Sequence, residues 1–245
     1  MISLHFEKIP ELIVQLFPFI PITLLVVFLA SCLGSILGGV LAKAMFSRRK
    51  IWRYLAQGYI YLLRCTPPIV LLFIVYYGLP KLFLSLFTID LNVLDKLIFV
   101  VITFILLFAA SAAETFRSAY LAIDVGQLEA GLAVGLTPVQ TFWRIIFPQA
   151  LRVALPNYCN SLVNLMKDGT LAYTIGLVDL MGQANLILGR NYGNYAIETY
   201  LSVALIYWLF VLILEFIFNK LEQHLSFNQL AKKTKEATHG YPVLD

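Results

Sequence analysis

The chain has 245 residues, of which 60% are hydrophobic and only 13% are charged. Its mean hydropathy of +0.82 excludes an ordinary soluble domain, because such domains carry roughly 25% charged residues. A disordered chain is excluded as well. With 14% aromatic residues, the burial of apolar surface contributes more free energy than the ordering of the chain costs. The three cysteines are odd in number and lie in apolar stretches, which excludes a disulfide scaffold. A polytopic membrane protein remains.

Five apolar runs of spanning length organise the sequence. The predicted spans are, in chain order, 21–45, 57–79, 94–117, 142–166 and 195–218. The second and the fourth contain prolines, and the fourth also contains several asparagines. We therefore predict an all-α membrane protein with about five transmembrane helices in residues 1–220, followed by a polar cytoplasmic tail in residues 221–245.

Lysine and arginine in the short connections predict the orientation, because cytoplasmic loops carry an excess of both. They collect after the first span, between the third and fourth spans, and in the tail. This bias places the N-terminus outside and the C-terminus in the cytoplasm. Glu7 and Glu11 argue against a cleaved signal peptide. The formal net charge of +4 is the usual basic excess of inner loops, and no nucleic acid is needed to explain it.

The second span contains a charge followed by a helix break. Arg64 lies inside the apolar run, where a charge is costly unless it is paired or wetted. Thr66 and Pro67 have the pattern of a new helix start, while Pro67 and Pro68 lack the N–H that would continue the old helix. One interpretation is a structural kink with Arg64 reaching toward the cytoplasm. The other is a broken span whose second half binds an anion, such as an amino acid carboxylate.

The third span ends with a charged pair inside a small-residue patch. Glu114 and Arg117 are three residues apart, so an intrahelical ion pair is one interpretation. In the other, Glu114 binds a substrate ammonium group or pairs with Arg64.

The connection between the third and fourth spans predicts a short, well-delimited cytoplasmic helix at 125–134. Asp124 and Gln127 have the spacing of a capping box at its start. Gly135 is placed to end it in a left-handed conformation, and Thr137 with Gln140 repeats the capping-box signal for the next helix. The small residues of this helix allow another protein to approach its backbone, although a plain linking helix fits the spacing equally well.

The fourth span has a polar stripe. Its members fall at helical spacing on one face: Asn157, Asn160, Ser161, Asn164, Lys167 and Asp168. Such a stripe cannot face lipid. It either forms hydrogen bonds with neighbouring helices or lines a water-filled path. Lys167 and Asp168 offer both signs of charge, as a zwitterionic ligand requires, and mutual neutralisation explains them too.

Nothing in the sequence predicts catalysis by this chain. His5, His224 and His239 are scattered and predict no metal site, and no nucleophile and base are grouped. The sequence also lacks the phosphate-binding loop G-x-x-x-x-G-K-[ST]. If transport is driven by ATP, the ATPase is therefore a separate polypeptide.

One run of the sequence resembles a known motif. The run resembles the EAA loop of ABC importer permeases. It consists of Glu129, Ala130 and Gly131, then Gly135, and then the segment 145–148. Gly131 stands where that motif has its second alanine, and Phe147 stands where it has leucine.

Further matches follow in the same order over nearly the whole chain. The segments 64–67, 113–117 and 167–171 resemble RGTP, AEIFR and KDTSL of permeases that import histidine, glutamine, arginine or cystine. Cys65, Gly169 and Thr170 depart from these patterns.

The resemblance implies a type I ABC importer permease with the MetI-like fold, which works by alternating access in the cytoplasmic membrane of a bacterium. It implies that residues 125–135 form a coupling helix, with Glu129, Ala130, Gly131 and Gly135 against a dimer of ATPase subunits. That ATPase would bind ATP and Mg, and this chain would hold no cofactor. A second permease subunit, an extracytoplasmic amino acid-binding protein and membrane lipid are the other expected partners.

The candidate substrate-binding residues are Arg64, Thr66, Glu114, Asn164, Lys167 and Asp168. An ion-coupled secondary transporter or channel is the alternative, because charges at membrane depth also suit ion-driven flux.

Overall fold

A computed structural model describes residues 5–239, with side chains described as far as Leu225. Within that range the chain is helical and contains no strand. The α-helices, in chain order, are α1 (Ile9–Leu16), α2 (Ile20–Met45), α3 (Lys50–Cys65), α4 (Pro68–Phe73), α5 (Leu79–Phe87), α6 (Lys96–Leu121), α7 (Gly126–Ala133), α8 (Pro138–Thr141), α9 (Phe147–Gly169), α10 (Leu180–Arg190) and α11 (Ala196–His239).

Four helical segments are long and apolar enough to cross a membrane. They are Phe6–Met45, Pro68–Phe87, Lys96–Leu121 and Ala196–Leu225. The pair Pro138–Ile175 and Leu180–Arg190, which meet at an angle of 47°, is a fifth candidate when the two are taken as one bent span. The predicted all-α architecture of about five spans is confirmed.

The second span begins later than the sequence predicted. The run 57–79 contains a helix break, because α3 ends at Cys65 and α4 begins at Pro68. Pro67 and Pro68 lack the N–H groups that would have continued α3. The predicted N-cap at Thr66 is wrong, since its hydroxyl donates backward to the Leu62 carbonyl at 2.8 Å and no side chain caps α4.

Two wide helical turns interrupt the second and fourth spans at matching places. π-turns occupy Ile74–Gly78 and Phe142–Ile146. Each ends two residues before a proline, Pro80 in one span and Pro148 in the other. A proline inside a helix removes one backbone hydrogen bond and crowds the carbonyl four residues earlier. A wider turn makes room for it, so both spans stay helical through their prolines.

The closest helix packing joins α2 to α6. Gly38 of α2 lies against α6, where an added Cβ would meet the Ala112 Cβ at 2.8 Å and the Ala109 carbonyl oxygen at 3.0 Å. Small residues allow this approach, which drives helix association in membranes. Ala30 and Phe104, both buried, continue the same contact into the centre of the molecule.

The N-terminal segment packs on α10 and on the first part of α11 at one side of the bundle. Leu12 and Leu16 of α1 are buried in a cluster with residues of α10 and α11. The His5 N–H also donates to the carboxylate of Glu198 at 2.6 Å. From there α11 continues to His239, so one helix crosses the predicted boundary between membrane domain and tail.

Candidate functional site

The short helix α7 begins differently from its predicted capping box. Asp124 Oδ1 accepts from the Gly126 N–H at 2.7 Å, so the aspartate does satisfy a free donor at the helix start. Gln127 does not reach back to Asp124. Its Oε1 instead accepts from Gln149 Nε2 at 3.2 Å, 22 residues later and near the start of α9. The reciprocal box predicted at Asp124 and Gln127 is therefore wrong.

The end of α7 follows the prediction. Gly135 has φ +83°, a left-handed conformation that costs glycine little. The Leu136 N–H donates to the Gly131 carbonyl at 3.1 Å, and the Gly135 N–H to the Leu132 carbonyl at 3.0 Å. These two bonds are the Schellman ending, which satisfies carbonyls that a helix leaves free. The turn therefore sends the chain directly into the fourth span.

The next helix starts with the predicted capping box. Thr137 Oγ1 accepts from the Gln140 N–H at 3.3 Å, and Gln140 Oε1 accepts from the Thr137 N–H at 2.9 Å. Pro138 occupies the first helical position, where its missing N–H costs nothing.

The candidate coupling residues divide into three that are exposed and one that is not. Glu129, Ala130 and Gly135 are exposed. Gly131 is buried, and a Cβ added there would collide with the side chain of Thr141, which is itself fully buried. Gly131 therefore serves packing inside the chain, whereas the other three residues form an open surface.

The polar stripe of the fourth span points away from the rest of the chain. Asn157, Asn160, Asn164 and Lys167 are exposed, and Ser161 and Asp168 are partly exposed. Within the described residues, no side chain of the stripe forms a hydrogen bond to another helix. Ser161 only donates to the Asn157 carbonyl one turn earlier, at 3.0 Å. Bonding to neighbouring helices of this chain, one of the two interpretations, does not occur.

The opposite face of α9 attaches it to the bundle. The Tyr158 hydroxyl forms a 2.7 Å hydrogen bond with Ser35 of α2. Its ring makes an edge contact with Phe108 at 5.6 Å and stacks on Phe116 at 6.2 Å. Leu162 and Leu165 are buried on the same side. One face of α9 thus packs in the core, and the other is left open.

Glu114 and Arg117 form the ion pair that their spacing suggests. Two bonds join them, Arg117 Nη2 to Glu114 Oε1 at 2.6 Å and Arg117 Nε to Glu114 Oε2 at 3.0 Å. Arg64 is exposed near the end of α3. Among the described residues the ion pair of Glu114 is with Arg117 and not with Arg64.

Sequence reasoning missed a buried polar group at the bend of the fourth span. Asp179 is 2% exposed and accepts from the Gly182 N–H at 2.8 Å, which makes it the N-cap of α10. Next to it, the Leu180 N–H donates to Thr23 Oγ1 of α2 at 3.1 Å. The signal available in the sequence was an aspartate three residues before a glycine at the start of an apolar run.

The family of the chain is established by its sequence. The profile of the family described as binding-protein-dependent transport system inner membrane component matches residues 30–227. The chain therefore belongs to this family, and it is a multi-pass membrane permease of the ABC importer class.

Relatives and solved structures agree with that assignment. The L-cystine transport system permease protein TcyL of Bacillus subtilis (strain 168) is 35% identical, over 91% of this chain and 92% of the relative. A crystal structure of an amino acid ABC transporter with histidines superimposes with a TM-score of 0.78 at 26% identity, covering 91% of this chain and 99% of the other. An inward-facing MetNI methionine ABC transporter shares the fold, with a TM-score of 0.69 at 20% identity over 86% and 96% of the two chains. The predicted MetI-like fold is confirmed.

Proposed function

We propose that this permease imports a polar amino acid by alternating access, driven by a separate ATPase. The open polar face of α9 is the observation that carries the proposal. The stripe lies in a segment that spans the membrane, and lipid cannot satisfy its polar groups. Water and a polar cargo can satisfy them. A relative that transports cystine and a structural neighbour solved with histidines support an amino acid as that cargo.

A second permease subunit completes the path in this proposal. The chain leaves the stripe uncovered by its own helices, so another protein surface has to shield it from lipid. A second copy, or a close homologue, would place its own polar face opposite. A water-filled path between the two faces exposes the side chains to the cargo and hides them from the bilayer.

The candidate substrate residues supply the charges that an amino acid requires. Arg64 and Lys167 are cationic and exposed, which suits the carboxylate of the cargo, while Asp168 and Glu114 suit its ammonium group. Asn164 is exposed on the same face of α9 and offers both a donor and an acceptor. Thr66 uses its hydroxyl hydrogen on Leu62, so it contributes an acceptor.

The ATPase docks on α7 and its end, within residues 125–135, in the proposed assembly. The contact surface consists of Glu129, Ala130 and Gly135. The close packing of Gly131 on Thr141 positions this surface. ATP and Mg bind on the ATPase subunits, and closure of these subunits pulls on two coupling helices to open the permease outward. An extracytoplasmic binding protein delivers the amino acid, and hydrolysis resets the complex. The basic loops put α7 in the cytoplasm, with the N-terminus outside.

Uptake into vesicles tests the proposal. The chain is reconstituted with its ATPase subunits and binding protein, and uptake of labelled cystine, glutamine, arginine and histidine is measured with and without ATP. We expect ATP-dependent uptake of one or more of them. The substitution Asp168→Ala should lower uptake or change the order of preference while assembly is retained. Uptake that follows an ion gradient and needs no ATP would overturn the proposal in favour of a secondary transporter.

Substitutions at Gly135 test the docking surface separately. Nothing lies within 4 Å of a Cβ added at Gly135, so a larger side chain would project from the surface. Gly135→Ala introduces only the strain of the left-handed conformation, roughly 1–2 kcal/mol. Gly135→Trp adds bulk to the same strain. We expect the tryptophan variant to lose ATPase association and the alanine variant to keep it, and equal association of both would remove Gly135 from the interface.

A further inference from the structure

The turn from α2 into α3 carries the densest group of positive charges among the side chains that the structure describes. Its members, here called the basic cluster, are Arg48, Arg49, Lys50 and Arg53. The first three are exposed and the last is partly exposed. The sequence contains no acidic residue between Glu11 and Asp90, and the ion pairs of the described residues involve other side chains. The described chain therefore supplies no counter-charge to the cluster.

The contacts of α3 place the basic cluster near one boundary of the membrane core. The Tyr59 hydroxyl donates to the Leu106 carbonyl at 2.9 Å, close to the middle of α6. The nine residues from Tyr59 back to Lys50 span about 14 Å of α-helix, and half of a hydrocarbon core is about 15 Å. Because α3 packs along the membrane-spanning α6, its first turn lies near the level of the lipid headgroups.

The cluster lies at the same end of the bundle as α7. Phe46 follows α2 directly, and its ring makes an edge contact with Tyr120 at 4.8 Å. Tyr120 belongs to the last turn of α6 and also contacts Phe142, at the start of the fourth span, at 6.3 Å. The headgroups beside the cluster are therefore those of the leaflet that surrounds this end.

The outer face of α3 is suited to contact with lipid. The helix packs on the bundle through Ala56, Ile60 and Leu63. Helical spacing places Tyr54 and Tyr61 on the opposite face, where they are 60% and 76% exposed. Trp52, in the first turn, is 53% exposed. Tryptophan and tyrosine favour the boundary between lipid and water, so α3 combines a basic first turn with an aromatic, lipid-compatible face.

We propose that the basic cluster binds the phosphate headgroups of anionic phospholipids in the leaflet around the α7 end of the bundle. Arginine and lysine form charge-assisted hydrogen bonds with phosphate oxygens, and cations grouped beside a membrane-spanning helix attract anionic lipid. The helix dipole disfavours cations at the start of α3, so bound phosphates also offset that interaction. The apolar face continues from the cluster toward the bundle centre, a depth that a soluble acidic protein does not reach. The inference does not depend on transport or on the cargo.

Tryptophan fluorescence of the full chain in vesicles tests the proposal. Trp143→Phe and Trp208→Phe leave Trp52 as the single tryptophan of the three in the sequence. The vesicles contain phosphatidylcholine and phosphatidylglycerol in equal parts, and one of the two lipids carries bromine, which quenches tryptophan on contact. We expect phosphatidylglycerol to be enriched roughly fivefold or more around Trp52, the effect of one cation beside an anionic surface. Equal quenching by the two brominated lipids would overturn the proposal.

A second reporter in the same chain is the matched control. Trp52→Phe with Trp143→Phe leaves Trp208, which is 63% exposed on α11. We expect both brominated lipids to quench Trp208 equally, because the basic cluster lies on a different helix. A preference at Trp208 as strong as that at Trp52 would show attraction to the chain as a whole, and it would contradict a site at the cluster.

Removal of the charges tests the cluster itself. Arg48→Gln, Arg49→Gln and Lys50→Gln together should abolish most of the lipid preference at Trp52, whereas Arg48→Lys with Arg49→Lys should retain it. Salt at 1 M, where the screening length is about 3 Å, should weaken the preference in the chain with its native cluster. A preference that survives both treatments would refute electrostatic binding. Unchanged preference in the glutamine variant, together with lost ATPase association, would assign the cluster to a protein interface instead.

Discussion

The third and fourth spans use the same helical structure for opposite purposes. The third-span helix α6 buries 12 of its 26 residues inside the chain. The fourth-span helix α9 buries 6 of 23, and it leaves asparagines, a lysine and an aspartate on its open side. The difference teaches that α6 forms the core of the single chain, whereas the described residues leave one face of α9 uncovered.

The largest expected effect breaks the packing of the third span. Gly38→Leu would force a side chain into the contact with Ala112 and Ala109, where an added Cβ already lies within 3.0 Å of each. We expect the free energy of unfolding in detergent to fall by about 3 kcal/mol, at the upper end of usual overpacking costs. Gly39→Leu is the matched control, since nothing lies within 4 Å of its Cβ. Equal thermal stability of the two variants would contradict the close packing.

The next effect concerns the open side of the fourth span. Asn164→Leu removes a polar group that forms no hydrogen bond within the described chain, so stability in detergent should stay almost constant. If Asn164 binds the cargo, the loss of that bond is worth about 1.5 kcal/mol or more. At low substrate concentration the uptake rate is proportional to that concentration. We expect this proportionality constant to fall about tenfold. Unchanged uptake would place Asn164 outside the path.

An exchange of charges at the end of the third span separates structure from transport. Glu114 and Arg117 have side-chain exposures of 30% and 34%, so their pairing contributes less than about 1 kcal/mol of stability. The double variant Glu114→Arg with Arg117→Glu restores the pair with reversed positions. We expect thermal stability near that of the wild type and strongly reduced uptake, because position 114 would then carry a cation where the proposed site needs an anion for the ammonium group of the cargo. Full uptake by the double variant would leave Glu114 with a structural role alone.

The smallest effect is expected at a buried hydroxyl of the third span. Thr103 is fully buried, and its Oγ1 donates to the Phe99 carbonyl at 2.8 Å. Thr103→Val keeps the shape and removes one hydrogen bond, which costs about 1 kcal/mol. Thermal unfolding should show this small loss, and uptake per folded molecule should not change. A loss of uptake larger than the loss of folded protein would mean that α6 also borders the path.

Local chemistry was predicted well where the partners are close in sequence. Gly135 ends α7 and Thr137 begins the next helix as expected, because both signals involve atoms within a few residues. The ion pair of Glu114 and Arg117 is equally local. The sequence resemblance extended this success to the whole fold, since its motifs follow in order along the chain.

The errors arose where a distant or competing partner was available. Gln127 was expected to return to Asp124, and the amide of Gln149 draws it away. The Thr66 hydroxyl donates to the carbonyl four residues earlier, and Thr66 follows the last residue of α3. The sequence pattern had suggested that Thr66 starts a helix. Neither choice can be read from spacing, because each depends on which hydrogen-bonding partner lies nearest in the folded chain.

The direction of the polar stripe lay beyond sequence reasoning for a related physical reason. Helical spacing correctly placed Asn157 to Asp168 on one face. Which face meets the bundle depends on contacts such as Tyr158 with Ser35, which join residues 123 positions apart. The same spacing fits a buried stripe and an open one, so the two interpretations were separated only by the structure.

The open stripe also affects the stability of the newly synthesised chain. Asn157, Asn160 and Asn164 form no side-chain hydrogen bond within the described part of the chain, and each unsatisfied polar group in hydrocarbon costs several kcal/mol. If a second subunit covers α9 as proposed, the solitary subunit is therefore less stable than the assembled one. Synthesis in balanced amounts with its partner would shorten that interval, and an excess of this chain alone would be the natural substrate of membrane proteases.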